Sequence, residues 1–280
     1  MNLLWLELYK TFSRWRTYIG FGFIALIVIL TEVVMKLSAG EIVRRMMRSP
    51  QTDFLIFGNV LNGWFVTAFI MNSLHIHIPF LIALVAGDMV SGEATSGTVR
   101  FLLIRPPSRT RIITAKYVTT IFYTAGLVIF LGLMCILPGL ALFGTGDLVV
   151  HHFGRFGIVF IPEAEVPIRM VVAFLAAIWS MTAVASIAFL LSSLVENSIG
   201  PIIGTMAVVI VFLVIGNFPF DFFRTLKPYL FTTYMVFWQQ FLDDPIPWQE
   251  IARSATIIGL HSLGLFFIAF AAYARKDIKS

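Results

Sequence analysis

Six long apolar runs separated by short polar segments set the pattern of the chain, at roughly 18–34, 64–86, 117–143, 170–191, 199–215 and 255–273. None of them alternates apolar with polar residues as a membrane strand would. About 20 helical residues at ~1.5 Å each match a hydrocarbon core of ~30 Å, so each run predicts a transmembrane helix. The first and fifth are the shortest, and Gly200-Pro201 opens the fifth. Ahead of the first run, Leu3, Leu4, Leu6, Leu8, Tyr9, Phe12 and Trp15 are interspersed with Glu7, Lys10, Arg14 and Arg16. Residues 1–16 therefore read as an amphipathic helix lying on the membrane surface. This long polar lead and long apolar run do not suit a cleaved signal peptide. The expected fold is an all-α polytopic membrane protein: six transmembrane helices preceded by an amphipathic interfacial helix, in a single membrane domain, 1–280. Larger outer loops are expected at 35–63, 144–169 and 216–254.

Composition strengthens the membrane reading. Hydrophobic residues make up 59% of the chain and charged residues 12%, the latter about half the share of an ordinary soluble domain. Mean hydropathy is +0.90. A soluble fold needs a polar skin that this chain cannot supply. The lone cysteine, Cys135, excludes an intrachain disulfide and a cysteine cluster. The net charge of +5 comes from basic residues beside apolar runs, which suits anionic lipid head groups rather than nucleic acid. With the N-terminus inside, the short inner segments hold 11 Lys/Arg and the longer outer loops hold 9. The density predicts both termini in the cytoplasm, although Arg44-Arg45 runs against it.

Several constellations were weighed for chemistry. Gly144-Thr145-Gly146-Asp147 has the Gly-x-Gly-Asp pattern of intramembrane aspartyl proteases, but its motif partner Asp88 falls on the opposite side of the membrane in this topology. His75 and His77 are two apart and so sit on different helix faces, a poor metal pair. Asn72 and His75 share a face with Pro79, and they and His261 are the candidate polar residues of a pathway; a hydrogen-bonded patch in the bundle is the plainer reading. No catalytic, cofactor-binding or metal-binding residue is assigned, and the chain is not expected to be an enzyme. Glu32, at the outer end of the first span, is expected to reach polar surroundings, since a charge at mid-bilayer costs ~3 kcal/mol. Ala173, Ala177, Ser180 and Val184 form a small face on the fourth span, and Gly200 and Gly204 form a small pair on the fifth; both suit close helix packing within the subunit or across a dimer. The loop 216–254 is crowded with aromatics, from Phe218 to Trp248, as expected of an interfacial belt or an exit gate for an amphiphile.

The most structured polar segment lies between the second and third runs. It reads Gly87-Asp88-x-x-Ser91-Gly92-Glu93-x-x-x-Gly97-Thr98-x-Arg100-x-Leu102-Leu103-x-Arg105-Pro106-x-Ser108-Arg109, followed by Lys116. Gly92 and Gly97 permit sharp backbone changes, Ser96 or Thr98 can cap a short helix, and Pro106-Pro107 ends it, leaving Ser108 to cap the next. This string resembles the first cytoplasmic loop of type-2 ABC export permeases. The resemblance extends to the surface helix, the six spans, the turn 192–198 and the basic tail. It implies a permease subunit that docks the loop 87–116 in a cleft of a separate ATPase subunit. By that match Glu93, Gly97, Thr98, Arg100, Leu102, Arg105 and Pro106 take the coupling role. It also implies pairing with a second permease copy, as a homodimer or similar heterodimer, in the inner membrane of a prokaryote. The sequence has no Gly-x-x-x-x-Gly-Lys-Ser/Thr phosphate loop; ATP-Mg is expected in the partner, and no cofactor in this chain. The alternatives are a secondary transporter or channel independent of ATP and, further off, an intramembrane enzyme.

Overall fold

In the computed structural model the described residues are 3–48, 61–95, 108–151, 158–218 and 220–275. The helices are α1 (Leu3–Phe12), α2 (Trp15–Arg48), α3 (Gly63–Leu74), α4 (His77–Ala86), α5 (Ser91–Thr95), α6 (Arg109–Phe143), α7 (Val166–Leu194), α8 (Ile199–Asn217), α9 (Asp221–Leu226), α10 (Phe231–Tyr234) and α11 (Trp248–Arg275). Five of them, α2, α6, α7, α8 and α11, are long and apolar enough to cross a bilayer. The pair α3–α4 passes the same test together but is bent by 59°. The molecule is a mostly helical, multi-pass membrane protein.

The bend has a local cause. Pro79 sits in the first turn of α4; it has no N–H, and its ring would collide with the carbonyl four residues back, at His75, where α3 stops. Elsewhere helices outrun the apolar runs, because helix propagates until a breaker stops it. α2 continues to Arg48, well into the segment 35–63 expected as a loop; there is no proline before Pro50. α6 begins at Arg109, directly after Ser108, the position expected to open this helix and well ahead of its apolar run. Ser108 stands at its N-cap, but its hydroxyl meets the Thr110 hydroxyl at 2.9 Å and caps no backbone N–H.

α7 is the central post. Of its most apolar stretch 72% is buried inside the chain, against 17% for α8 and α11. Ala173, Ala176, Ala177, Ser180, Ala183 and Val184 are all buried, so the small face is used within the subunit. Polar side chains tie α7 to its neighbours: Thr182 to Ser262 of α11 at 3.0 Å, Tyr117 of α6 to Ser186 at 2.8 Å, and Trp179 Nε1 to the Ala255 carbonyl at 2.8 Å. Such bonds join helices where no water competes.

The start of α3 presses on the end of α6. A β-carbon on Gly63 would lie 2.7 Å from the Gly139 carbonyl and from Leu140 Cα, so only glycine fits there. Asn62 caps α3 by accepting from Trp64 N and Phe65 N, and its amide donates to the Asp147 carbonyl at 2.7 Å. The Asp147 carboxylate accepts from Glu163 N at 2.9 Å. The Gly-x-Gly-Asp string is thus a turn that binds loop to helix.

The all-α expectation needs one amendment. Between α6 and α7, β1 (Leu148–His151) and β2 (Ile158–Ile161) pair antiparallel, with Leu148 opposite Ile161 and His151 opposite Ile158. β-branched residues at 149, 150, 158, 159 and 161 favour this extended pairing. The aromatic segment 216–254 also divides in two. Phe231, Phe237, Trp238 and Phe241 are buried, packed in the core cluster, whereas Phe220, Phe222 and Tyr229 stay exposed. Only the second group has the character of an interfacial belt. Glu32 departs from expectation as well: it is 1% exposed and its Oε1 has no hydrogen-bond partner.

Candidate functional site

At the end of the bundle that carries α1, four charged side chains meet in the interior. In α1, Glu7 and Thr11 lie one turn apart on one face and are buried, while Trp5 and Tyr9 face outward. The apolar aromatic edge is therefore the one available to lipid, and the polar edge is turned to the protein. The Thr17 hydroxyl donates to the Thr11 carbonyl, and Tyr18 Oη to the Phe12 carbonyl at 2.9 Å, which sets the corner between α1 and α2.

Lys116, two turns into α6, is 1% exposed. Its Nζ donates to Glu7 Oε2 at 2.8 Å and to the Met89 carbonyl at 3.3 Å, and forms an ion pair with Glu93 Oε1 at 2.7 Å. Lys10 Nζ, partly exposed, reaches Glu7 Oε1 at 3.1 Å and Glu93 Oε1 at 3.3 Å. These two carboxylates and two ammonium groups balance in charge. Neutrality matters because a buried ion without a partner costs several kcal/mol. Burial pushes the Glu7 carboxyl up, but Lys116 and then Lys10 outweigh it and hold it below the ordinary carboxylate range. Burial pushes Lys10 down, but Glu93 and Glu7 outweigh it and raise it above the ordinary ammonium value. Arg14 Nη1 to Asp88 Oδ2 at 3.1 Å adds a further tie from the α1–α2 corner.

The segment 87–95 owes its residue types to this packing. A β-carbon on Gly92 would run into the Asp88 carboxylate, so the glycine keeps Asp88 in reach of Arg14. Gly92 lies within the helical turn α5, where a sharp backbone change was expected. Ser91 Oγ donates to the Gly87 carbonyl at 2.7 Å. Ser192, at the end of α7, accepts from Val90 N and Ser91 N at 3.0 Å each and donates to Ser91 Oγ at 3.2 Å. Thr95 Oγ1 donates to the Glu196 carbonyl at 2.7 Å. The first and second inter-helix turns at this end are therefore pinned together, and both are joined to α1 and α6.

Of the expected coupling residues, Glu93 is the one in the described part, and its side chain is not offered to a partner's surface. It is 6% exposed and engaged by Lys116 and Lys10. Gly97, Thr98, Arg100, Leu102, Arg105 and Pro106 lie outside the described residues. Among the described hydrogen bonds, Asn72 and His75 are joined through a backbone carbonyl, and none links His261 to either. Asn72 Oδ1 accepts from Gln239 Nε2 at 2.8 Å, His75 Nδ1 meets the Asn72 carbonyl of its own helix, and His261 Nδ1 meets the Ile257 carbonyl at 2.8 Å. Asp88 and Asp147 do not meet; each has the separate partner given above. Among the described residues no group of three or more His, Cys, Asp or Glu is placed to hold a metal ion. Sequence reasoning missed Glu7, Lys10 and Ser192 as members of this junction. The signal available was the Glu7–Lys10 pair, three apart in a helix otherwise rich in leucine and aromatics.

Fold and junction together define a polytopic helical membrane protein whose N-terminal helix α1 is ion-paired to an inter-helix turn. The chain belongs to the family described as "Protein of unknown function (DUF2705)", which matches residues 19–279, from α2 onward. It is also similar to the "Uncharacterized protein YhcI" of Bacillus subtilis (strain 168), at 25% identity over 319 aligned residues covering 99% of each chain.

Proposed function

We propose that this chain is the membrane-spanning permease subunit of an ATP-driven export complex of the type-2 ABC class. In this reading α3–α4 counts as one bent span, giving six. Both termini and the loop 87–116 face the cytoplasm across a prokaryotic inner membrane, and 216–254 faces out. Two permease chains, identical or similar, line the pathway and dock two ATPase subunits that bind ATP-Mg.

The observation that carries the reading is the mount beneath the recognised loop. The residues immediately before Gly97 are pinned by Lys116 to α6, by Lys10 to α1, by Arg14 to the α1–α2 corner, and by Ser192 and Glu196 to the end of α7 and the turn after it. A displacement of the loop by an ATPase would be passed to these elements together, as a rigid shift rather than a local flexing. Glu93 acts here as a positioning residue, holding the base of the loop, while Arg100 and Leu102 are left to meet the partner.

The test is purification from native membranes with measurement of bound ATPase and of ATP hydrolysis. Arg100→Ala should lose ATPase association, since truncating a buried charged contact at an interface costs ~2–5 kcal/mol. Glu93→Gln should keep the ATPase bound yet weaken the link between cargo and hydrolysis. Transport that proceeds without ATP, with no ATPase co-purifying, would overturn the proposal.

A further inference from the structure

A carboxyl group in the opposite half of the bundle has no role in the junction described above. Glu32 lies on α2, 1% exposed, and its Oε1 has no hydrogen-bond partner. It is set where α2, α3 and the end of α6 converge. A carbon placed at the β-position of Gly139 would have three nearest atoms, all oxygens: the Gly63 carbonyl at 3.3 Å, Glu32 Oε1 at 3.5 Å and Thr67 Oγ1 at 3.6 Å.

The chemistry of that oxygen cluster is one-sided. A backbone carbonyl can only accept a hydrogen bond. The Thr67 hydroxyl has one proton, already directed at the Gly63 carbonyl at 2.8 Å and the Cys135 carbonyl at 3.1 Å. Thr67 therefore turns lone pairs, not a proton, toward its surroundings. The indole of Trp64 on α3, buried and without an acceptor, makes no hydrogen bond to Glu32. A carboxylate buried with no donor or cation is disfavoured by lost hydration. A carboxylic acid, whose O–H can donate to an acceptor, matches the same surroundings.

The charged and titratable neighbours point the same way. On α2, Lys36 stands one turn beyond Glu32, but its ammonium donates to the Leu142 carbonyl and lies 5.2 Å from the centroid of the Phe143 ring. On the facing stretch of α6 the titratable residue is Cys135, and α3 has none from Gly63 to Leu74. No described cation is spent on Glu32. An ionisable group inside a membrane bundle is rare because it is costly, and it marks a functional position.

From this geometry we infer that Glu32 is an intramembrane proton-binding site, held as the neutral acid while α2, α3 and α6 are closed around it. Ionisation requires these helices to part and admit water or a cation, so proton exchange at Glu32 is tied to opening of this end of the bundle. The inference stands independently of the export reading.

Infrared difference spectroscopy of the full chain in lipid nanodiscs, titrated with acid and base, tests it. The wild-type protein at neutral pH should show a buried carboxylic-acid C=O band that is lost in Glu32→Gln and does not depend on sodium. Glu7, held ionised by its lysines, should contribute no such band. Thr67→Val, which removes an acceptor from the cluster but leaves Glu32, should move the band without abolishing it, and this decides the matter even if Glu32→Gln fails to fold. Absence of the band at neutral pH, a band unchanged in Glu32→Gln, or one unmoved in Thr67→Val overturns the inference. So does a band that appears only when sodium is replaced by a bulky organic cation, since a metal ion would then be the neutralising species.

Discussion

Removing the ammonium of Lys116 would take from the buried carboxylates Glu7 and Glu93 the cation closest to both. Breaking one side of a buried ion pair costs ~3–5 kcal/mol, because the remaining charge stays buried. Lys116→Met should therefore lower stability by about that amount in thermal or denaturant unfolding of the lipid-reconstituted protein. Adding Glu7→Gln to it should recover part of the loss, since the orphaned charge is then also removed. The cluster sets a pH window too. Glu7 is held below its ordinary range, so its contribution is full above that range and drains away as acid brings the pH down through the folded value. Lys10 is held above its ordinary value, so its contribution is full below that value and is lost as the pH rises through the folded one. Attachment of α1 should accordingly hold across neutral pH and weaken at both extremes. Hydrogen exchange of α1 amides against pH measures this; uniform protection down into the acid range would contradict it.

At the scale of elements, the contact between α3 and α6 depends on an absent side chain. The space beside Gly63 is filled by the backbone of Gly139 and Leu140 at 2.7 Å, and backbone cannot rotate away. Gly63→Val should cost ~1–3 kcal/mol or more by overpacking, read as a lowered unfolding midpoint. Gly126, whose β-position meets nothing within 4 Å, provides the control: Gly126→Ala should be neutral or slightly stabilising in its helix. The bend between α3 and α4 has a comparable dependence on one residue, Pro79, which interrupts the backbone ladder where the apolar run itself continues.

For the whole molecule the consequences concern sidedness and assembly. Single cysteines at Ser108 and Thr225, both exposed, in a Cys135→Ser background should react with an impermeant thiol reagent from opposite sides of the membrane. Labelling from the same side would remove the proposed topology. Because the small face of α7 is occupied inside the chain, it is not available for pairing two copies. Pairing would use an outward apolar face such as that of α8, where Ile203 and Ile210 are exposed. Native mass measurement of the proposed complex should show two permease and two ATPase chains, and a stable, active one-to-one complex would refute that stoichiometry.

What the sequence by itself determined was the class of the protein and where its apolar runs lie. Hydropathy is summed over about 20 neighbouring residues and needs no partner to be read. It also marked the amphipathic N-terminal helix, since leucines and aromatics mixed with charges within 16 residues are a local pattern, and it singled out the string from Gly87 to Lys116. Helix ends were less legible. The apolar pattern stops where lipid contact stops, but the helices α2 and α6 continue to the next breaker. Which groups meet was decided only by the tertiary structure. Glu7 and Lys116 are 109 positions apart and Ser192 is 101 from Ser91, so no local window contains both partners. That Glu93 faces inward, that Asn72 binds Gln239, and that Glu32 sits among acceptor oxygens follow from how the helices pack. A charge on a helix is legible in one dimension, whereas its neutralising partner exists only in three.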